Sequence, residues 1–271
     1  MTKAEYSADD ALENGRAVSI EQVNEGVVLL ENKNDTLPLK DSERSVSLIG
    51  YGSHNPVYCG AGSMSWNTTG DRSDFYDAFG YYGFTVIEAL KNYYVKNFGD
   101  RDTKEGQSEM TGGDFTIYDR EINEYEDLLK SGGAAGDVAI VTLSRMGGEN
   151  NDLPMDMGDS ELLGGDDLCD RKNSFGDPGK SYLELQDTEL ALKAARENYS
   201  QVIVLLNTCN AMECGPLEEY ADAILWIGQP GGRGTYSVVS CLIGETNPSG
   251  RMIDIYAYEH ESSPTYGRRS G

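Results

Sequence analysis

The sequence predicts a doubly wound α/β fold, and three observations predict it. Short apolar runs recur at strand length: Ser45 to Gly50, Val138 to Leu143, Val202 to Leu206 and Ala223 to Ile227. Helix-like stretches alternate with them, the pattern expected when helices cross over a parallel sheet. Glycine-rich segments follow the strand-like runs, as at Gly147-Gly148 and Gly228 to Gly234. Ligands of such sheets collect at the carboxyl ends of the strands, where these segments begin.

In chain order, a first helix is expected from Ser19 to Glu31, capped by Ser19 and with Val23, Val27, Val28 and Leu30 on its apolar face. Asn32 to Leu39 reads as a turn-rich exit, and Ser45 to Gly50 as the first strand. A polar loop from Tyr51 to Asp71 follows, then an aromatic cluster from Phe75 to Phe84 and a helix around Val86 to Phe98. Gly99 to Asp114 is hydrophilic, and Ile117 to Leu129 reads as a helix before the strand at Val138. Gly158 to Gly179, rich in Asp and Gly, reads as a surface loop of unusual length. Tyr182 to Tyr199 is an expected helix, Met212 to Glu218 a short one, and Gly232 to Ile243 the last. Arg251 to Tyr256 reads as an extended segment, and no solenoid repeat is visible.

The composition narrows the function classes. A length of 271 residues suits one large domain, and a formal charge of −24 disfavours nucleic acid and anionic membrane surfaces as partners. No apolar stretch approaches a membrane span, and Met1 to Tyr6 has no signal-peptide core. Five irregularly spaced cysteines fit reduced thiols in a cytoplasmic protein. With only His54 and His260, a multi-histidine metal site is excluded, and no metal or cofactor is expected.

The loop Ser144 to Pro154 is the main candidate for chemistry. Gly147 and Gly148 remove side-chain bulk ahead of Glu149, so the backbone can turn tightly and present a carboxylate. In a partly dry cleft such a group has a raised pKa and can protonate a leaving-group oxygen. Asp152 is an alternative proton carrier or a partner of Glu149; an acidic surface loop is the plainer alternative. Asn207 and its neighbours can either bind sugar hydroxyls or cap the helix that follows. Gly228 to Gly234 lacks both P-loop and dinucleotide spacing, and reads better as a tight strand-to-helix turn than as a phosphate cradle.

Several segments, in order, resemble the second domain of glycoside hydrolase family 3, the β-glucosidase-like enzymes. They are Glu25 to Asn32 with Leu37-Pro38-Leu39, Gly60-Ala61-Gly62-Ser63, Gly147-Gly148-Glu149 with Asp152-Leu153, Tyr182 to Leu185, Gly228 to Gly231 and Asn247 to Arg251. The resemblance implies a six-stranded, mostly parallel sheet sandwiched by helices over residues 19–260, with an extension at 1–18 and a tail or linker at 261–271. It implies Glu149 as the acid/base of a retaining β-glycosidase, with Arg145, Asp152, Asn207 and Ser63 as substrate contacts. The substrate is then a β-linked glucoside or oligosaccharide. The family's nucleophile is an aspartate of a separate TIM barrel, expected here in cis or in trans, in a member with swapped domain order. Met64-Ser65-Trp66 departs from the small residues that the family tends to carry there. The alternatives are a non-catalytic carbohydrate-binding or structural module of the same fold, and a nucleotide-binding doubly wound protein.

Overall fold

The computed structural model describes residues 7–60, 72–98, 119, 122–136, 138–147, 153–158, 176–264 and 266. Among them are the strands β1 (Val28–Asn32), β2 (Ser45–Ile49), β3 (Thr85–Val86), β4 (Val138–Arg145), β5 (Gln201–Thr208) and β6 (Ala223–Trp226). They form one six-stranded sheet in the order β1-β6-β5-β4-β2-β3, parallel throughout except for β1, which runs antiparallel to β6. The helices are α1 (Ala8–Gly26), α2 (Tyr51–His54), α3 (Phe75–Tyr81), α4 (Glu88–Phe98), α5 (Glu126–Ala135), α6 (Ala191–Asn198), α7 (Gly215–Tyr220) and α8 (Gly234–Leu242).

Side-chain alternation along the strands builds two cores, one on each face of the sheet. Val46, Leu48, Val138, Ile140, Ile203, Leu205 and Leu225 pack with Phe75 and Phe79 of α3 and Val238, Val239 and Leu242 of α8. Ile49, Ala139, Val141, Leu143, Val202, Val204 and Leu206 pack with Leu90 of α4, Leu129 of α5, Leu192 of α6 and Leu217 of α7. The central strands are therefore apolar at nearly every position, because both faces are covered.

Connectivity positions the site. β2 has β3 on one side and β4 on the other, so the direction of travel across the sheet reverses after β3. The topological switch point lies between the carboxyl ends of β2 and β4, where a ligand crevice is expected in such a sheet.

The elements differ from the sequence expectation in identifiable places. The first helix runs from Ala8 to Gly26, with Ser7 and Asp10 forming a capping box, and Val28–Asn32 is a strand rather than the end of that helix. Val-Val-Leu-Leu is a short apolar run that periodicity cannot assign; pairing with β6 decides it. The aromatic cluster is itself helical at Phe75–Tyr81, capped by Asp74. The stretch from Tyr182 starts in turns and a 3-10 turn at Asp187–Leu190, so its α-helix begins only at Ala191. Arg251 to Tyr256 takes no sheet partner, and the short helix begins at Gly215. Residues 99–118 and the bulk of the Asp-rich stretch, 159–175, lie outside the described residues. No described helix is long and apolar enough to cross a membrane.

Candidate active site

The switch point is framed by α2 and the ends of β4 and β5. Ser53 Oγ donates to the Ile49 carbonyl (2.9 Å) and pairs with Thr142 Oγ1 (2.8 Å), locking α2 onto β4. The contact is so close that a β-carbon at Gly52 would overlap Ser144 Oγ. Gly50 turns the chain with φ 89°, and its N–H donates to Tyr94 Oη (2.8 Å). The Tyr51 N–H donates to Asp119 Oδ1 (2.8 Å), which places a carboxylate beside the start of α2.

Asn207 ties three strand ends together. Its Oδ1 accepts from the Val57 N–H (2.6 Å) and from Ser144 Oγ (2.9 Å). Its Nδ2 donates to the carbonyls of Val57 (2.9 Å) and Gly228 (2.7 Å). A carboxamide has two donors and two acceptor lone pairs, so this buried side chain is fully used. The short helix α7 has Cys214 at its N-cap position and no side-chain cap, so Asn207 neither caps it nor keeps a polar atom for a sugar.

Arg145 closes the end of β4 and is fully buried. Nε donates to the Tyr182 carbonyl (2.7 Å), Nη1 to the Ser144 carbonyl (3.1 Å) and Nη2 to the Glu184 carbonyl (3.1 Å). The two remaining N–H groups make a bidentate pair with Glu189 (2.6 and 2.7 Å), itself nearly inaccessible. Burial works against the guanidinium charge, but the Glu189 carboxylate outweighs it, with Asp119 contributing, and the Arg145 pKa is raised. The cation also lies 5.3 Å from the Tyr182 ring centre. All five donors are spent inside the protein, so Arg145 has none left for a ligand.

The same clamp fixes both feet of the candidate loop. The Met146 N–H donates to Tyr182 Oη (2.6 Å), and the Tyr182 N–H donates to the Pro154 carbonyl (2.9 Å). At Gly147 a β-carbon would sit 2.5 Å from Cys209 Sγ and 2.7 Å from Asn210 Nδ2, so this foot passes too close to the β5 end for a side chain. Asn210 Nδ2 also donates to the Met146 carbonyl (3.2 Å). Burial pushes the Cys209 thiol pKa up, so at neutral pH it is a neutral neighbour rather than a thiolate nucleophile. The Asp-rich excursion returns to its own start: the Met157 N–H donates to the Lys180 carbonyl (2.8 Å), and Asp156 Oδ1 accepts from Gly158 and Gly179 (2.8 Å each).

Of the five expected site residues, Arg145 and Asn207 are brought together at the carboxyl ends of β4 and β5 through Ser144; Ser63, Glu149 and Asp152 lie outside the described residues. The Gly228 to Gly234 segment is a tight strand-to-helix turn, with φ 56° at Gly228 and φ 67° at Gly231, and a β-carbon at Gly234 would press on Pro230 and Val23. Sequence reasoning missed Glu189, Asp119 and Ser144. The Arg145 to Glu189 pairing spans 44 residues and has no local signature.

Comparison with known proteins gives a consistent result. Residues 27–269 match the family described as Glycosyl hydrolase family 3 C-terminal domain. The chain is 27% identical to "Beta-glucosidase A" of Butyrivibrio fibrisolvens over 92% of its own length, and 26% identical to "Beta-glucosidase" of Ruminococcus albus over 89%. It spans only 29% and 23% of those two proteins. Beta-glucosidase 3B from Thermotoga neapolitana, solved in complex with glycerol, superposes with a TM-score of 0.72 at 25% identity, over 97% of this chain and 34% of that one.

Proposed function

Because the chain belongs to the glycosyl hydrolase family 3 C-terminal domain family, we propose that it supplies the proton-transfer half of a β-glucosidase-type site, with Glu149 as general acid and base. The observation that carries this reading is the placement of the loop's two feet. Gly147 leaves β4 at the topological switch point, and Pro154 is tied back to Tyr182 within the same buried clamp. Six residues, 148–153, lie between these feet in the sequence, and Glu149 is the second of them.

In this reading Glu149 protonates the glycosidic oxygen as the bond to the leaving group breaks. It then removes a proton from the water that resolves the glycosyl intermediate. A retaining mechanism needs a second carboxylate about 5–5.5 Å away as nucleophile. That group comes from a TIM-barrel domain joined in cis or in trans, and the substrate is a β-linked glucoside. Asp152 biases the protonation of Glu149, and Ser63 contacts the sugar from the loop after β2. Arg145 and Asn207 act as positioning residues, because their polar atoms are spent on strand ends and loop feet. The free thiols at Cys209, Cys214 and Cys241 fit a cytoplasmic setting.

Hydrolysis of an aryl β-glucoside, by the chain alone and with a barrel domain supplied, tests this. Turnover is expected only with the barrel, and Glu149→Gln lowers it by about 10²–10⁴-fold. Equal rates for wild type and Glu149→Gln would remove the assignment. Turnover by the chain alone would contradict the half-site, and saturable sugar binding without turnover in any assembly would favour a non-catalytic module.

A further inference from the structure

The Gly228 to Gly231 turn, which lacks P-loop and dinucleotide spacing, borders a cavity of about 340 Å³ at the carboxyl end of β6. One wall is the end of α1, from Ser19 to Gly26; the other is Trp226 and the turn itself. Both walls are fixed. Ser237 Oγ donates to the Ile20 carbonyl (3.0 Å), and a β-carbon at Gly234 would sit 3.0 Å from a Val23 methyl, so α1 lies hard against α8. A β-carbon at Gly228 would lie 2.9 Å from the Trp226 indole, so that ring rests on the backbone of the turn.

The lining sets the chemistry of the ligand. The chain carries 46 acids and 22 bases, yet no charged side chain lines this cavity. An ionic ligand finds no partner here, which removes phosphates and nucleotides. The walls offer an indole, the carboxamides of Gln22 and Gln229, and the Ser19 hydroxyl. Gln229 Oε1 is buried and accepts from no group among the described residues, and Gln229 Nε2 makes only a long contact with Cys209 Sγ (3.6 Å). A buried acceptor left over beside a cavity calls for a donor from a ligand. An aromatic surface with neutral donors and acceptors around it fits a pyranose ring, which has an apolar C–H face and hydroxyls at its edge. The volume is at the lower end of the range for ligand sites, room for one ring rather than a chain.

The cavity also lies on the correct side for the proposed reaction. Cys209 Sγ, against which Gln229 rests, would be 2.5 Å from a β-carbon at Gly147, the first foot of the Glu149 loop. β6 is two strands from β4, a distance of about 10 Å. A general acid protonates the oxygen of the leaving group, so the leaving group must lie beside the element that carries the acid. We propose that this cavity holds the leaving-group sugar of a β-linked disaccharide, with Gln229 selecting a sugar ring over a simpler leaving group; this rests on the reading under Proposed function.

Calorimetric titration of the full chain with cellobiose, a β-linked disaccharide of glucose, reads the site without any chemistry. Saturable binding is expected. Gln229→Leu, which keeps the volume but not the carboxamide, should weaken it by about tenfold, the worth of one neutral hydrogen bond. That variant should melt with the wild type, because Oε1 has no protein partner to lose. A second arm places the full chain in the Butyrivibrio fibrisolvens protein in exchange for its matched segment. There Gln229→Leu should lower kcat/KM for cellobiose by about tenfold relative to that for methyl β-glucoside, whose leaving group needs the same proton but has no ring. A defect in folding or proton transfer would lower both and leave the ratio unchanged. No saturable heat with the wild-type chain, undiminished binding by Gln229→Leu, or an unchanged ratio would overturn the proposal. So would binding of inorganic phosphate that Gln229→Leu abolishes. Cellobiose binding that depends on Gln229, in an exchange protein that turns over neither glucoside, would support the sugar site and sink the acid/base reading instead.

Discussion

Removing the Arg145 guanidinium while keeping its volume, as in Arg145→Met, should destabilise the fold far more than an average substitution. The lost group makes five hydrogen bonds, two of them to a carboxylate that is itself almost inaccessible. Glu189 would keep the Gln186 N–H on Oε2 (2.9 Å) but lose its countercharge in a dry environment. Breaking a buried pair from one side costs about 3–5 kcal/mol, because the partner is left charged and unpaired. For a chain of this size each kcal/mol corresponds to roughly 2–4 °C, so the melting temperature should fall by about 6–20 °C. Arg145→Met, Glu189→Met should recover much of the loss, since two apolar groups replace the pair together. Urea unfolding of both single variants and the double variant, read as a double-mutant cycle, gives the coupling directly. A loss below about 1 kcal/mol in the single variant would refute the buried-clamp argument, as would strict additivity in the cycle.

Asn207→Leu should cost about 2–5 kcal/mol in the same assay, because it orphans polar groups of Val57, Gly228 and Ser144 at once. Gly147→Val should cost about 1–3 kcal/mol by overpacking against Cys209 and Asn210, and lower turnover of the assembled site by roughly 10²-fold, since the displaced foot carries the proposed acid/base loop. Asp74 caps α3, and burial raises its pKa from 3.8 to about 6, with Asp77 adding repulsion. The folded state therefore holds this proton more tightly than the unfolded chain. The contribution is complete below pH 3.8 and is lost as pH rises through about 6. At about 1.36 kcal/mol per pKa unit, discounted for partial exposure, the wild type should lose about 1–2 kcal/mol relative to Asp74→Asn across that window. Parallel pH-stability curves for the two proteins would count against a buried Asp74.

The sheet was legible because its strands, buried on both faces, are uninterrupted apolar runs such as Val138 to Leu143 and Val202 to Leu206. Val28 to Asn32 was not, because a five-residue edge strand exists only through its partner β6, nearly 200 residues away. The Asn-Pro-Ser-Gly motif shows how a sequence signal becomes physical. Its Gly250 donates to the Val27 carbonyl (3.0 Å), and a β-carbon there would collide with the Gly26 backbone. At the site, glycines and carboxylates marked the loop, but the roles of Arg145 and Asn207 were hidden. A charged or amide side chain at a strand end reads as a ligand contact in sequence. Only the count of its hydrogen bonds shows that it is already saturated by Glu189, Tyr182, Val57 and Gly228.

The acid role of Glu149 is tested most directly by leaving-group dependence in the assembled enzyme. In the proposed role Glu149 is the proton donor that only poor leaving groups need, and Glu149→Gln removes it. Turnover of alkyl β-glucosides should then fall by about 10²–10⁴-fold, whereas glycosyl transfer from 2,4-dinitrophenyl β-glucoside should be nearly unchanged. An equal loss across the series, or none, would contradict it.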